Sequence, residues 1–144
     1  MTIIQAITLA VAVLGAVLGI INTWHQLDQT RVKLKVVPAI AFFGPVDTGM
    51  RFSVEVTNLS AFAVTVDDVG FFYHGTRDRA QIVHPFLADR GPWPRRLEPR
   101  SSVSVYSEIP SNPGRRIRCA YAKTQCGHTC EGTSPALEQI AARS

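Results

Sequence analysis

The residues best suited to chemistry lie close together, in and just before the segment YAKTQCGHTCEG, residues 121–132. Cys126, His128 and Cys130 are spaced two apart, and Cys119 lies seven residues before Cys126. Structural zinc sites usually draw their thiolate and imidazole ligands from two paired knuckles, and this segment contains no second knuckle. The pattern favours an ordinary β-hairpin, and a Cys126–Cys130 disulfide or a metal or redox site are the alternatives.

Cys119 is predicted to be separate from the other thiols. It alternates with Ile117 and Tyr121 along RIRCAYAKT, which places the three on one face of a predicted strand. At ~3.3 Å per residue, Cys119 would lie roughly 20 Å from a turn at residues 126–127. We therefore interpret it as a small buried hydrophobic residue. The sequence assigns no metal site and no cofactor.

The acidic residues give no catalytic pattern. Asp67 and Asp68 are adjacent on a predicted strand, so they would face opposite sides unless a bulge intervenes. The sequence contains no Gly-rich phosphate loop, nucleophile elbow or HExxH motif. A non-catalytic protein is therefore the prediction, and a metal-binding or redox protein using Cys126, His128 and Cys130 is the alternative.

The N-terminal segment is the longest apolar stretch of the chain. From Ile3 to Ile21 only Gln5 and Thr8 are polar, and the first 24 residues contain no Lys, Arg, Asp or Glu. At ~1.5 Å per residue, 19 helical residues span about 28 Å, the thickness of a bilayer's hydrocarbon core. A cleaved signal peptide usually has a basic start and a shorter apolar run. The sequence thus predicts a transmembrane helix, with these membrane-anchor residues: Ile3, Leu14, Gly15, Gly19, Ile21 and the interfacial Trp24.

The charges that follow this helix predict its orientation in the membrane, and its small residues predict a contact with a second helix. Arg31, Lys33 and Lys35 follow the apolar segment and no charged residue precedes it, which predicts a cytoplasmic C-terminal domain. Gly15 and Gly19 have the spacing that lets two membrane helices approach closely, so they predict a homodimer contact.

The rest of the chain changes to the period of two that is typical of strands. The segments VKLKV, MRFSVEVTN, AVTVDDVGFFYHG, SSVSVYS and RIRCAYAKT alternate, and a bend is predicted near Asp67 and Asp68 in the third of them. Turns are predicted between the segments, at GPVDTG (44–49), NLS (58–60), HGTRD (74–78) and SNPG (111–114). Six or seven strands at this spacing favour an antiparallel, immunoglobulin-like β-sandwich, with an open barrel as the alternative. SPALEQIAAR predicts a short C-terminal helix that begins at Pro135 after a Ser134 cap. The predicted division is a helix with its extension, residues 1–30, and a mainly β domain, residues 31–144.

One long stretch, HPFLADRGPWPRRLEPR, is predicted to be irregular; we call residues 84–100 the proline-rich segment. Loops of this length in compact domains often carry function. Trp and Arg dominate the energetics of protein interfaces, so Trp93, Arg95, Arg96 and Arg90 are the predicted partner-binding residues. The net charge of +4 suits an anionic membrane surface. Nucleic acid is not a predicted partner, because only Trp93 and Tyr121 accompany the basic residues.

Several segments together carry a resemblance. An N-terminal membrane helix and a basic strand are followed by VEVTNLSAFAVTVDDVGF, GPWPRRLEPRSSVSVY and YAKTQCGHTCEGTSPALEQI. The chain resembles a group of small bacterial and prophage-associated single-pass membrane proteins with one β-sandwich domain. The chain is therefore predicted to be a membrane-anchored protein-interaction module at the bacterial inner membrane. The resemblance supports this fold and topology, and it implies interference with an incoming phage or with host envelope machinery as the setting. It transfers no catalytic residue. A secreted or virion structural subunit is a further alternative.

Overall fold

The computed structural model describes residues 2–42, 50–108 and 114–143. The chain divides into two compact units, Met1–Arg31 and Val32–Ser144. The turn predicted at 44–49 lies outside the described residues, and so does most of the turn predicted at 111–114.

The first unit is one helix, α1, over Ile3–Gln29. At ~1.5 Å per residue its 27 residues extend about 40 Å. It begins where the Gln5 Oε1 atom accepts a hydrogen bond from the Thr2 backbone N–H at 3.1 Å. The helix continues beyond Ile21 through a polar turn, and none of its residues is buried. By length and composition α1 is able to cross a membrane.

The second unit is mainly β and ends in a short helix. Its elements are β1 (Leu34–Phe42), β2 (Met50–Asn58), β3 (Val64–Tyr73), β4 (Arg79–Gln81), β5 (Phe86–Leu87), β6 (Arg95–Leu97), β7 (Ser102–Glu108), β8 (Ile117–Thr124), β9 (Thr129–Gly132) and α2 (Pro135–Arg143). One sheet has the order β1-β2-β7-β5 and the other β4-β3-β8-β9, with β6 also paired to β3. The pairings are antiparallel. The predicted mainly β class and C-terminal helix are therefore confirmed.

The hydrophobic core lies between the two sheets. Phe52 of β2 and Phe71 of β3 meet edge to face across it, with ring centroids 4.6 Å apart. Alternate residues of both sheets point into this core, as the period of two requires. Leu137 and Ile140 of α2 join it. The Ser134 hydroxyl accepts the Leu137 N–H at the start of the helix, as the predicted cap requires.

The pairing of β3 with β8 is irregular at two places, and these irregularities change which residues face the core. The register shifts between Val66 and Asp68, where the sequence predicted a bend, and again between Phe72 and Tyr73. Ile117 therefore faces the core, while Cys119 and Tyr121 lie on the opposite face of the sheet. The prediction that all three share a face was wrong, because alternation does not survive such an irregularity.

Candidate interaction surface

The proline-rich segment is more regular than the sequence predicted. It contains β5 and β6, which pair with β7 and β3 on different sheets. Leu87 and Leu97 are buried at these two strands, and the Trp93 ring packs against the core between them. The expectation of an entirely irregular stretch was therefore wrong, since two-residue and three-residue strands are too short to produce a detectable alternation.

Arg95 is held inside this segment by an acidic neighbour. Its Nη2 atom donates to the Asp89 Oδ2 atom, and its guanidinium occupies the space that a side chain at Gly91 would need. The Gly91 backbone N–H donates to Asp89 Oδ1 at 3.0 Å. This N–H and then the Arg95 guanidinium lower the pKa of the Asp89 carboxyl. The Asp89 carboxylate therefore holds the loop closed, because it binds both the Gly91 backbone and the Arg95 side chain.

Arg90 and Arg96 differ from the other two predicted contacts. Arg90 is exposed and has a φ of 52°, a left-handed conformation that a non-glycine residue adopts only when its surroundings require it. The Arg96 side chain is 71% exposed, and its Nε atom donates to Glu98 at 3.1 Å. The four predicted partner-binding residues thus divide into an outward pair, Arg90 and Arg96, and a half-buried pair, Trp93 and Arg95, that positions the segment.

Asn58 joins this segment to the rest of the domain. Its side chain is fully buried, and its Nδ2 atom donates to the carbonyls of Phe62 at 2.8 Å and Leu97 at 3.0 Å. Its Oδ1 atom accepts the Ser60 N–H at 2.9 Å, and its backbone C=O accepts the Arg100 N–H at 2.8 Å. Sequence reasoning predicted only a turn at NLS. The available sequence signal for such a hydrogen-bonding hub was an Asn at the end of an alternating strand, followed by a Ser two residues later.

The outer face of the β3–β8 sheet carries a second polar cluster. The Tyr121 side chain is fully buried there, although it lies outside the main core, and its hydroxyl donates to Asp68 Oδ1 at 3.2 Å. Arg79 pairs with Asp68 Oδ2 at 3.3 Å and lies over the Tyr121 ring at 5.8 Å from its centroid. Burial, and then the Asp68 charge, raise the pKa of Tyr121 to about 12. The cluster fixes β4 against β3 and keeps the phenol protonated.

Two of the basic residues near β8, Arg115 and Arg118, are paired with acidic residues. Arg118 makes two contacts of 3.3 Å with the Glu131 carboxylate and lies over the Phe72 ring at 5.4 Å from its centroid. Arg115 pairs with Asp78 at 3.2 Å. Such exposed pairs contribute little to stability but reduce the positive potential of this face. The more basic surface is therefore elsewhere on the domain.

The three cysteines occupy separate environments. Cys119 is buried, as predicted, and burial raises the pKa of its thiol to about 11. Cys130 is half-buried and its Sγ atom donates to the Leu34 carbonyl at 3.0 Å, and burial raises its pKa. Cys126 is exposed in the β8–β9 turn together with His128. The Thr124 hydroxyl contacts Cys126 Sγ at 2.9 Å and, with the His128 N–H, lowers the pKa of this thiol.

The cysteines are therefore free thiols with different reactivities. Within residues 2–42, 50–108 and 114–143, no three His, Cys, Asp or Glu side chains are grouped as ligands of a metal ion would be. No protein-family model and no curated protein sequence matches the chain.

The predicted membrane-anchor residues all lie on α1. Apolar side chains are exposed along its whole length, from Ile3 at 80% through Leu14 and Ile21 to Trp24 at 74%. A Cβ atom added at Gly15 or Gly19 would meet no other atom within 4 Å. Both glycines therefore leave backbone open on the helix surface, where a second helix would be able to approach.

Proposed function

We propose that this protein is a single-pass membrane protein whose β domain is a non-catalytic interaction module. The observation that carries the proposal is α1, a helix of 27 residues whose apolar side chains are all exposed. About 25 cal/mol is lost for each square ångström of apolar surface left in water, so a helix of this composition favours a lipid environment. The domain has its own core and does not require α1 to complete it.

The proposed orientation places the domain in the cytoplasm, at the inner membrane of a bacterium. Arg31, Lys33 and Lys35 follow α1 within six residues of its end. Basic residues next to a membrane helix favour the cytoplasmic side. The resemblance to bacterial and prophage-associated proteins agrees with this location and suggests envelope defence as the setting.

The proposed fold of the domain is an immunoglobulin-like sandwich. The sheet orders β1-β2-β7-β5 and β4-β3-β8-β9 correspond to the orders A-B-E-D and C′-C-F-G of such domains. Backbone nuclear Overhauser contacts between Val54 and Val105, and between Phe71 and Ala120, are the matching observation in solution. Their absence would rule out this strand order.

The proposed partner surface is the outward pair of the proline-rich segment, Arg90 and Arg96. Trp93 and Arg95 support it through the core and Asp89, so replacing them with Ala would disturb the domain as well as the surface. The pair is able to recognise an acidic protein surface through guanidinium–carboxylate contacts. A homodimer through Gly15 and Gly19 would double this surface.

Carbonate extraction of membranes from cells expressing the full chain tests the anchor. We expect the protein to stay in the membrane pellet, since α1 spans the bilayer. The matched control is Leu14→Lys with Leu18→Lys, because each Lys at the centre of a span costs about 3 kcal/mol. Release of the unaltered chain into the supernatant would overturn the proposal.

A photo-crosslinking residue placed at position 96 tests the partner surface in the same cells. We expect one discrete adduct, which Arg90→Ala weakens and Arg77→Ala leaves intact, because Arg77 is an exposed arginine in the β3–β4 turn. An adduct insensitive to Arg90→Ala, or no adduct at all, would contradict a role for this surface.

A further inference from the structure

Three segments meet at the end of the domain where β1 begins. The Leu59 N–H donates to the Lys33 carbonyl, and the Ser60 hydroxyl accepts the Lys33 N–H, each at 2.8 Å. Asn58 connects this contact to the β6–β7 connection through Leu97 and Arg100. Residues 33–35, 58–63 and 97–101 thus form one continuous surface, which we call the β1 end.

The β1 end combines exposed apolar side chains with positive charge. Leu59 is 49% exposed and Phe62 is 38% exposed, and neither belongs to the core. The surrounding cations are Lys33, Lys35 and Arg100, which are all exposed. Glu98 is the one acidic residue in the three segments, and it pairs with Arg96 of the proposed partner surface. The three segments therefore have a net charge of +2 next to their apolar tips.

We propose that the β1 end docks on the surface of an anionic lipid bilayer. Leu59 and Phe62 enter the headgroup region, while Lys35 and Arg100 lie over lipid phosphates. Apolar side chains ringed by Lys and Arg are the combination that binds peripheral proteins to such surfaces. This inference rests on the proposed function, because it takes α1 as the anchor.

The chain itself favours lipid as the occupant. Only residues 30–32 separate the end of α1 from Lys33, whose backbone bonds to the Leu59–Ser60 turn. Three residues of chain span roughly 10 Å. The eight helical residues after Ile21 add about 12 Å, so the covalent chain keeps Lys33 within roughly 22 Å of the hydrocarbon core. Docking on the bilayer that holds the anchor is therefore an intramolecular step at high effective concentration.

Asn58 gives the proposed surface a fixed shape. Because its amide bonds to the Phe62 and Leu97 carbonyls, the two loops are held together before any lipid is bound. Arg100 has a φ of 62°, and its N–H is bonded to the Asn58 carbonyl. The backbone that carries Phe62 and Arg100 is therefore ordered in advance, which reduces the entropic cost of docking.

The test uses the full chain with Cys126→Ser, so that the exposed native thiol takes up no probe. A polarity-sensitive fluorophore is attached to Phe62→Cys, and in a matched control to Thr76→Cys. Thr76 follows the far end of β3, whose ten residues separate it from the β1 end by about 30 Å. Each protein is placed in nanodiscs of phosphatidylcholine, with or without phosphatidylglycerol, and brominated lipids report the depth of the probe.

We expect the probe at position 62 to shift to the blue and to be quenched in the anionic nanodiscs, while the probe at position 76 stays in water. Lys35→Gln with Arg100→Asn should lower the equilibrium constant for docking about 25-fold, since each cation near an anionic leaflet contributes roughly fivefold in affinity. Arg77→Gln should have no effect. Identical, fully hydrated spectra at both positions would overturn the proposal, and so would a blue shift that appears only when a protein extract is added.

Quenching of Trp24 by the same brominated lipids separates the two proposals. If Trp24 is quenched and the probe at position 62 is not, docking is wrong and the anchor stands. If Trp24 is not quenched either, α1 is not an anchor and both proposals fail.

Discussion

Asn58→Ala is the substitution that most directly tests how the domain is held together. The variant removes three short buried hydrogen bonds, those of Nδ2 with the Phe62 and Leu97 carbonyls and of Oδ1 with the Ser60 N–H. Each such bond contributes about 1 kcal/mol net, and the orphaned groups of the backbone add to the loss. We expect the free energy of unfolding to fall by about 3 kcal/mol, a large share of the ~5–15 kcal/mol of an ordinary domain.

Denaturant unfolding of the full chain in detergent, followed by near-ultraviolet circular dichroism, measures this change. The matched control is Gln125→Ala, which removes an exposed amide and should change the free energy of unfolding by less than about 0.5 kcal/mol. Hydrogen exchange at the Ser60 amide should accelerate in Asn58→Ala, because its acceptor, the Asn58 Oδ1 atom, is removed. A variant as stable as the unaltered chain would refute the assignment of Asn58 as the hub.

Three further outcomes are expected. Because the pKa of Tyr121 is raised to about 12, its contribution to the free energy of unfolding is complete below pH 10 and is lost as pH rises to about 12. The free energy of unfolding should therefore fall less steeply with alkaline pH in Tyr121→Phe than in the unaltered chain, and equal slopes would contradict this. Gly70→Ala should lower the free energy of unfolding by about 2 kcal/mol, because the new Cβ would collide with the Ala80 carbonyl, and an unchanged unfolding midpoint would argue against that contact. Gly15→Ile should weaken helix dimerisation, so that the association constant measured by energy transfer between labelled helices in vesicles falls about tenfold. Val17→Leu should leave this constant unchanged, and equal energy transfer in the two variants would exclude the glycine contact.

The long alternating strands could be predicted from the sequence because their pattern reflects one buried face. The predicted strand MRFSVEVTN coincides with β2, in which Phe52, Val54 and Val56 are buried. The bend expected near Asp67 and Asp68 is the bulge of β3. In these segments the residues that face the core are large and apolar, so local pattern and tertiary structure agree.

The pattern failed where packing depends on partners distant in sequence. In the middle of β8 the residues facing the core are the small Ala120 and Ala122, while the larger Tyr121 is buried on the outer face under Arg79. Periodicity gives more weight to the large side chain and so selects the wrong face. The hydrogen bonds that bring Asn58 to Leu97 span 39 residues, and nothing in the local sequence specifies them.

The candidate surface was predicted only in part for the same reason. The composition of the proline-rich segment identified Trp93 and the arginines as residues of interest. It did not reveal that Asp89 engages Arg95, or that Trp93 packs inward, because both depend on how the segment folds over Gly91. The apolar tips of the β1 end were not predicted, since Leu59 and Phe62 look like ordinary turn-flanking residues.

Labelling of Cys126 with a membrane-impermeant maleimide tests the central claim most directly. Cys126 is exposed and has a lowered pKa, whereas Cys119 is buried, so one residue should carry most of the reaction. In spheroplasts of bacteria that express the full chain, we expect labelling only after lysis, and loss of that labelling in Cys126→Ser. This result would place the β domain on the cytoplasmic side of the membrane. Labelling of Cys126 on intact spheroplasts would contradict the proposed topology.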